Sequence, residues 1–413
     1  MDDKKVIGLV TNWYPTKKNI YAGQFFKEQA FSVADDFDFI VIRYNEIASL
    51  NLVEKLDFGI INKEKNTTEY ECCVHVPFWI YIFDIIKTNI VLLTKKGIIE
   101  GIGSYMSSSH RKCVSRIVNR VKIKLDKKID IFYCIDAQKE AFITECLAMK
   151  YGKPYIISEH APVPWPGTLI SDVNREAIQN ADMFFAISND KIRQLMMQNI
   201  VLPKTVYMGN LVDEDVFSLN DKIHDKKTIL IVAANSFYKN YNHFIAVINR
   251  LVEISKTDFR VMIVGYGANK GYSRDVESFE NEIKNSKFYS KCELIREVNH
   301  ANIADVYKMA DVFVMTSIQE GQPVSAMEAA CCGLPVFSTR CGGVEDYVGM
   351  ESGRIFDLYD IEGMAKGLND FIDGKIEFEP YIIRNNIIDK FGKKAFNDRF
   401  KRSVNLVIEN SYE

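Results

Sequence analysis

The sequence predicts an α/β protein made of two doubly wound domains. Short buried strand patterns alternate with helical patterns along the chain, which is typical of parallel sheets covered on both faces. This series stops at a polar stretch that ends near residue 227 and then starts again. A chain of 413 residues is also too long for one hydrophobic core and suits two.

The first series contains five strand patterns, and a second series of five follows the polar stretch. We expect the first five strands at residues 6–10, 37–43, 130–135, 155–158 and 183–188. The second five are the runs TILIVAA, RVMIVGYG, CELIRE, DVFVMTS and LPVFSTR. We therefore predict one domain over residues 1–203 and a second over residues 204–389. Periodicity alone assigns the last helical pattern, 390–408, to neither domain; we expect the segment 390–413 to cross back to the first.

Composition excludes several classes of protein. The net charge of -3 and the pI near 6.2 argue against a nucleic acid as the main partner. The opening run MDDKKVIGLVTN lacks the apolar stretch of a secretory signal. The apolar region 78–93 is interrupted by Asp84 and Lys87, so we expect a buried or surface-seeking helix rather than a spanning one. Nine cysteines without a C-x-x-C pair indicate reduced thiols and no zinc site. We expect a cytoplasmic protein.

The most informative stretch runs from residue 311 to residue 348. A strand pattern ends before Glu320, Pro323 suits the first turn of a helix over residues 324–332, and Glu328 lies inside that helix. Amide groups at a helix N-terminus favour a phosphate or pyrophosphate. Glu328 follows roughly 7 Å further along, at about 1.5 Å per residue. The two carboxylates can therefore accept hydrogen bonds from hydroxyl groups on either side of a bound diphosphate.

This stretch resembles the donor-site signature of glycosyltransferase family 4. The E-x7-E pair is followed by G-L-P-V at residues 333–336 and by Gly342-Gly343-x-Glu345. Further similar segments occur in the family's order, at residues 13–24, 128–136, 158–160, 210–217, 264–267 and 307–314. The resemblance covers nearly the whole chain and is strongest from residue 205 to residue 350. It implies the GT-B fold, in which two Rossmann-like domains face a central cleft.

The resemblance also implies a role for each matching residue. Glu328 would bind the ribose hydroxyls, and Glu320 would bind the transferred sugar. Lys239 would offset the charge of the leaving diphosphate, and His160 would touch the sugar near the reacting carbon. The implied donor-binding set is Gly23, Lys239, Glu320, Gly321, Gln322, Pro323, Val324 and Glu328, with the backbone near Arg296 and Val298 at the nucleobase. His160 and Glu320 are the implied catalytic residues.

The implied reaction is transfer of a sugar, with retention of configuration, from a nucleotide-diphosphate sugar to a glycan or glycolipid hydroxyl. Such enzymes need neither a metal nor a cofactor, and this one would serve cell-surface polysaccharide, lipopolysaccharide or capsule biosynthesis. One departure favours a non-catalytic sugar-nucleotide-binding protein as the alternative. Ala234 stands where the family usually has an arginine, so one phosphate-binding cation is missing or supplied elsewhere. An epimerase of the same fold is a further alternative.

Residues 111–128 form a basic helical pattern. Eight Lys and Arg residues stand against the single acid Asp126, and apolar residues recur at helical spacing. Such a helix is typical of a contact with an anionic membrane, here at the inner face of the cell membrane. By composition alone, a solvated helix face above a core stripe is equally compatible with this pattern.

Overall fold

A computed structural model describes residues 4–15, 23–50, 55–92, 108–125, 128–161, 170–219, 224–268 and 275–411. The chain divides into two units. Unit 1 contains Met1–Gly209 together with Asn397–Glu413, and unit 2 contains Asn210–Phe396.

The sheet of unit 1 has eight strands in the order β3-β4-β2-β1-β5-β6-β7-β8. Every pairing is parallel except that of β3 with β4, which is antiparallel. The strands are β1 (Lys5–Val10), β2 (Phe37–Ser49), β3 (Lys55–Glu64), β4 (Thr67–Pro77), β5 (Ile131–Cys134), β6 (Tyr155–Ser158), β7 (Met183–Ala186) and β8 (Thr205–Tyr207). The five strands predicted for this part of the chain are confirmed, whereas the hairpin β3–β4 and the short β8 were not expected.

Within the described residues of unit 1, six α-helices precede residue 209. They are α1 (Gln24–Ser32), α2 (Phe78–Leu92), α3 (Ser108–Leu125), α4 (Ala137–Tyr151), α5 (Asp172–Gln179) and α6 (Asn189–Met197). The apolar region after residue 77 is therefore a helix, as predicted. Within the described ranges, no helix is long and apolar enough to cross a membrane.

The sheet of unit 2 has six parallel strands in the order β11-β10-β9-β12-β13-β14. The strands are β9 (Lys227–Val232), β10 (Phe259–Val264), β11 (Cys292–Ile295), β12 (Val312–Met315), β13 (Val336–Thr339) and β14 (Gly353–Phe356). From β9, the next two strands in the chain, β10 and β11, are added on one side. The chain then crosses to the other side of β9, where β12, β13 and β14 are added in turn. This is the order of a dinucleotide-type doubly wound sheet, and its switch point lies between β9 and β12.

Seven α-helices of the described residues follow β9, and the last of them passes from unit 2 into unit 1 at Asn397. They are α7 (Tyr241–Ile254), α8 (Val276–Lys284), α9 (Ile303–Tyr307), α10 (Val324–Cys331), α11 (Ile361–Ile372), α12 (Pro380–Phe391) and α13 (Lys393–Asn410). The prediction of one helix over 390–408 was wrong at its start. Gly392 is extended, at φ -63° and ψ 166°, so α12 ends at Phe391 and a separate helix begins at Lys393.

Phe400 anchors α13 in unit 1. Its side chain is buried, and its ring lies 5.7 Å from that of Phe37, 6.1 Å from that of Tyr133 and 5.9 Å from that of Phe185. Near the start of the same helix segment, the Asn397 amide donates a hydrogen bond of 2.7 Å to the carbonyl of Ser32. Residues from Asn397 onward therefore complete the core on one face of the first sheet.

Replacing Phe400 by alanine is expected to lower the free energy of unfolding by about 3–5 kcal/mol, because the surrounding aromatic rings cannot close the cavity. Urea unfolding followed by circular dichroism measures the change. Tyr381→Ala, which removes an aromatic ring that is 66% exposed, is the control and should change stability little. Equal losses in the two variants would contradict a core role for Phe400.

Candidate functional site

The loops that follow three neighbouring strands of unit 2 meet at the switch point of the sheet. These loops are residues 233–240 after β9, residues 316–323 after β12 and residues 340–346 after β13. Because parallel strands end at the same edge, the loops converge there, and ligands of doubly wound proteins bind at this edge. Lys239, Glu320, Gly321, Gln322 and Pro323 lie on the first two of these loops.

Lys239 and Glu320 form an ion pair across the switch point. Lys239 Nζ lies 2.6 Å from Glu320 Oε1, and the two side chains are 27% and 12% exposed. The hydroxyl of Thr316 holds the lysine loop in place, since it lies 3.1 Å from the Lys239 carbonyl and 3.3 Å from that of Asn240. The Ile318 amide adds a bond of 2.7 Å to the Tyr238 carbonyl. The ion pair therefore joins two loops that are already fastened to each other.

The Glu320 loop is also fastened to the loop after β13. The Glu320 amide donates to the Cys341 carbonyl at 2.7 Å, and the Thr339 hydroxyl donates to the Ser317 carbonyl at 2.6 Å. Gly343, at φ +69°, lies so close to the Gly321 carbonyl that a Cβ atom there would come within 2.2 Å of its oxygen. The double glycine noted in the sequence thus serves the close approach of these two loops.

Helix α10 begins directly behind Glu320. Pro323 is its N-cap residue, and the Tyr347 hydroxyl donates a bond of 3.1 Å to the Pro323 carbonyl. The side chain of Gln322 accepts from the Asn210 amide, and the Asn210 side chain donates to the Gln322 carbonyl at 3.1 Å. The first amides of a helix have no carbonyl partner within it, so the start of α10 near Val324 offers donors to an anion.

Glu328 lies inside α10 and is mostly buried. Its Oε2 accepts a hydrogen bond of 2.7 Å from the hydroxyl of Tyr307, a residue of α9. Burial, and then the charge of Glu328, raise the pKa of Tyr307 well above its usual value, so this hydroxyl stays a donor. Tyr307 therefore fixes the position of one carboxylate oxygen.

The residues predicted to meet a nucleobase lie after β11. The Gly267 amide donates to the Arg296 carbonyl at 2.9 Å, which fastens the G-x-G turn after β10 to this segment. The Arg296 guanidinium itself faces Glu280, with contacts of 2.6 and 2.9 Å. Arg296 and Tyr266 lower the pKa of Glu280 to about 2 by their hydrogen bonds. Val298 is half-buried, and the Arg296 side chain is engaged by Glu280.

The loop after β9 carries a buried hydrogen-bond donor without a partner among the described residues. This donor is next to Ala234, the position at which the family resemblance implies an arginine. Asn235, next to Ala234, is 1% exposed, and its Nδ2 atom has no hydrogen-bond partner among the described residues. Its backbone amide is fixed by a bond of 3.3 Å to the Tyr266 carbonyl. A buried amide donor of this kind costs stability unless it meets an acceptor.

His160 lies in unit 1, just after β6, where it ends a buried chain of hydrogen bonds. Its Nε2 is 3.0 Å from the Ser158 hydroxyl, which is 3.0 Å from the hydroxyl of Tyr133 on the neighbouring strand. The ring of Phe26 packs edge-on against the imidazole at 4.6 Å. Burial raises the pKa of Tyr133, so its hydroxyl remains protonated and can donate to Ser158. The chain thereby fixes the orientation of the imidazole ring.

Two buried charges hold the backbone beside His160. The Glu159 carboxylate accepts from the Ala161 amide at 2.7 Å and from the Gln138 amide at 2.9 Å. The Lys191 ammonium donates to the Ala161 carbonyl. Burial, and then the charge of Asp136, raise the pKa of Glu159, while burial lowers the pKa of Lys191. No sequence pattern indicated Lys191, because a lysine on a helix is usually a surface residue.

The backbone conformation at position 23 requires a glycine. Gly23 lies at φ +61°, and a Cβ atom would come within 2.1 Å of the Trp13 carbonyl oxygen. The loop predicted to face the donor phosphates is described only at its two ends, because residues 16–22 lie outside the described part. The structure thus brings Gly23, Phe26 and His160 to one edge of unit 1.

Solved structures that are similar to this chain show its fold class. Sucrose-phosphate synthase from Thermosynechococcus elongatus superposes with a TM-score of 0.69 at 14% identity, covering 98% of this chain and 100% of that one. An Anabaena protein, HepE, in complex with UDP and glucose gives 0.66 at 13% identity, with 98% and 100% covered. Together with the two doubly wound sheets, these neighbours define a GT-B fold.

Sequence comparison finds a family match within unit 2. Residues 213–389 match the family described as glycosyl transferases group 1. An uncharacterized glycosyltransferase of Methanocaldococcus jannaschii is 26% identical over 184 residues, which cover 44% of this chain and 45% of that protein. The chain spans less than half the length of the first curated relatives, 34–45%.

The structure brings together most of the predicted residues of unit 2 and, separately, those of unit 1, whereas Arg296 and Val298 lie after β11 and outside the first group. Lys239, Glu320 and the residues 321–324 form one group, with Glu328 further along the same helix. Sequence patterns did not reveal the residues that hold this group and His160 in place. These are Tyr133, Ser158, Lys191, Asn235, Tyr307, Thr316 and Thr339. Tyr133, Ser158 and Tyr307 had a signal, since each belongs to a segment that resembles the family.

Gly343→Ala is expected to destabilise unit 2 by about 1–3 kcal/mol, because the new methyl group collides with the Gly321 backbone at a positive φ. Gly374→Ala is a matched control: it also has a positive φ of +70°, but no atom lies within 4 Å of its Cβ position. Thermal or urea unfolding compares the two variants. If Gly374→Ala cost as much, backbone strain alone would account for the loss, and the contact between the two loops would not.

Proposed function

We propose that this protein transfers a sugar from a nucleotide-diphosphate sugar to a hydroxyl group of a glycan or glycolipid, with retention of configuration. The observation that carries the proposal is the Lys239–Glu320 ion pair, placed at the switch point and in front of α10. A lysine, a helix N-terminus and two flanking carboxylates are what a diphosphate with a sugar on each side requires. The UDP and glucose held by the Anabaena neighbour support this class of donor.

In the proposed complex the ion pair is shared with the donor. Lys239 contacts the diphosphate, and Glu320 accepts hydrogen bonds from hydroxyls of the transferred sugar. The pair keeps both charges compensated when no donor is bound, which matters because an unpaired charge in a poorly solvated site is costly. Glu328, fixed by Tyr307, accepts from the ribose hydroxyls. The amides of Gly321, Gln322 and Val324 face the phosphates in this arrangement, with Pro323 setting the start of the helix.

The chemistry needs no covalent intermediate on the protein. The acceptor oxygen bonds to the anomeric carbon as the bond from that carbon to the phosphate oxygen breaks, on the same face. The acceptor proton passes to the leaving phosphate oxygen, and the nucleoside diphosphate departs. Preorganised positive groups around the leaving diphosphate lower the barrier, and Lys239 with the start of α10 provides them. His160 contacts the transferred sugar, and the transfer is proposed to be independent of metal ions and cofactors.

Asn235 is our proposed replacement for the missing arginine. Its buried Nδ2 donor lies one residue from Ala234 and four residues before Lys239. A neutral amide supplies a hydrogen bond but no charge, so it would hold a phosphate oxygen more weakly than a guanidinium. If the protein is a transferase rather than a non-catalytic sugar-nucleotide-binding protein, Lys239 must therefore supply most of the positive charge at the diphosphate.

The biological setting is proposed on the same basis. We propose that the acceptor belongs to the assembly of a cell-surface polysaccharide, lipopolysaccharide or capsule. The protein would work in the cytoplasm or at the inner face of the cell membrane, through residues 111–128. Of the basic side chains there, those of Lys122, Lys124 and Lys127 lie outside the described residues.

Glu328→Gln is expected to weaken binding of the donor nucleotide about 10–100-fold, because a neutral amide accepts ribose hydroxyls less strongly than a carboxylate. A panel of UDP-, GDP- and other activated sugars first identifies the donor by nucleotide release, and calorimetry then measures its affinity. Glu362→Gln removes a carboxylate that is 71% exposed and should leave affinity unchanged. If the activated sugar binds but no nucleotide is released with any acceptor hydroxyl offered, the non-catalytic alternative is favoured. If no activated sugar binds, the proposal is refuted.

Ser158→Ala is expected to lower the turnover of transfer about 10–100-fold while leaving nucleotide affinity unchanged, because His160 loses the bond that orients it. Steady-state kinetics and calorimetry separate the two effects. Tyr155→Phe is the control. It removes a hydroxyl on the same strand, which donates to the Ala177 carbonyl at 2.8 Å and has no bond to His160. Anomeric proton NMR of the product tests retention. Equal loss of turnover in both variants would contradict a positioning role for Ser158.

A further inference from the structure

Helix α2 directs an apolar face outward. Six of its large apolar side chains are between 42% and 60% exposed: Phe78, Trp79, Ile82, Phe83, Ile85 and Ile86. With about 3.6 residues per turn, these positions fall on one continuous face. The opposite side of the helix makes the contacts with the unit, since Ile80 is buried and the Tyr81 hydroxyl donates to Glu46 at 2.9 Å.

This arrangement is the reverse of that of an ordinary surface helix. In water a surface helix keeps polar side chains on its outer face and apolar ones on its inner face. Over residues 78–86 of α2, Asp84 is the single charged residue. Isolated exposed apolar residues are common, but a contiguous group on one element marks a surface that contacts something other than water.

A row of positive charge lies on the helix that packs against α2. Helix α3 contacts α2 and buries Cys113, Val114, Val118, Val121 and Leu125. Lys112, Arg116 and Arg120 recur every fourth residue on its outer side, where the first two are exposed and the third is half-buried. Arg111 lies outside this row and forms ion pairs with Asp172 at 2.8 Å and Glu176 at 3.0 Å.

We infer that the outer face of α2 and the basic row of α3 together form a docking surface for an anionic lipid bilayer. Aromatic and branched apolar side chains enter the boundary between headgroups and acyl chains, where Trp and Phe are favoured. The basic row meets the negative headgroups, each cation adding attraction that falls with salt. The described helix α2 has 15 residues, fewer than the about 20 that a spanning helix needs, and its apolar side chains occupy one face, so the proposed position is in the plane of the interface.

This surface goes beyond the basic segment that the sequence indicates, because it assigns the inserted element to α2. It also stands independently of the proposed transfer reaction. A protein partner would also cover apolar side chains, but the neighbouring row of like charge on α3 favours a surface that is itself uniformly anionic.

Binding of the full chain to vesicles tests the inference. We expect flotation with vesicles of phosphatidylcholine and phosphatidylglycerol, and weak binding to phosphatidylcholine alone. The chain has three tryptophans. In a Trp13→Phe/Trp165→Phe background, Trp79 emission should shift to shorter wavelength on binding and be quenched by brominated lipid chains. Quenching reports insertion of the unaltered α2 face directly, without any substitution in that face.

Variants separate the two parts of the surface. Phe78→Ser/Phe83→Ser/Ile86→Ser should weaken vesicle binding by at least about tenfold, because the lost apolar area no longer leaves water. Lys112→Gln/Arg116→Gln/Arg120→Gln should weaken binding to anionic vesicles only and reduce its salt dependence. Met196→Ser/Met197→Ser removes exposed apolar side chains from α6 of the same unit and should change nothing. Circular dichroism and the unfolding midpoint establish that each variant is folded.

Three results would overturn the inference. The first is absence of binding to either kind of vesicle by the unaltered chain. The second is bound protein whose Trp79 is not quenched, which would leave the basic row acting alone. The third is self-association in solution that the α2 variant abolishes, since the apolar face would then be a contact between copies of the chain. Nucleotide binding, measured in the same variants, should be unchanged and keeps this test separate from that of the donor site.

Discussion

Each sheet reverses its direction of winding at one point, and that reversal decides where functional side chains can meet. In unit 2 the two strands beside the reversal, β9 and β12, send their loops to the same edge, and the Lys239–Glu320 ion pair joins those loops. In unit 1 the reversal lies between β1 and β5, and helix α1, which follows the loop after β1, contacts His160 through Phe26. Parallel strands leave no other edge at which so many loops converge.

The charged groups at these edges are matched by partners that limit the cost of burying them. Lys239 and Glu320 compensate each other, and the Tyr307 hydroxyl donates to Glu328. The carboxylate of Glu159 accepts two backbone amides, which partly replaces the water lost on burial. These charges have partners both before and after a diphosphate binds. Binding therefore does not require an unpaired buried charge in either state.

The backbone around the candidate site is rigid for a different reason from the side chains. Hydrogen bonds from Glu320, Thr339 and Ile318 hold three loops to one another, and Gly343 permits their close approach. Unit 1 holds His160 mainly with side chains, through Ser158 and Tyr133. Away from these sites, apolar packing organises the structure, and Phe400 completes an aromatic core. The large apolar side chains of α2 remain exposed instead and form the proposed docking surface.

The sequence by itself determined the alternation of strands and helices, the two-domain organisation and the carboxylate pair at α10. Those features are local, because strand, helix and loop each leave a periodic or positional pattern within about ten residues. It also indicated the group 1 glycosyltransferase family, which residues 213–389 match.

Only the tertiary structure decided which distant residues support the site. Tyr133 lies 25 positions from Ser158, and Lys239 lies 81 positions from Glu320. No periodicity relates such pairs, since their proximity follows from the order of the strands in the sheet. The edge hairpin β3–β4, the break at Gly392 and the outward face of α2 were decided in the same way. Each depends on what packs beside it, and an apolar pattern does not tell a buried face from an exposed one.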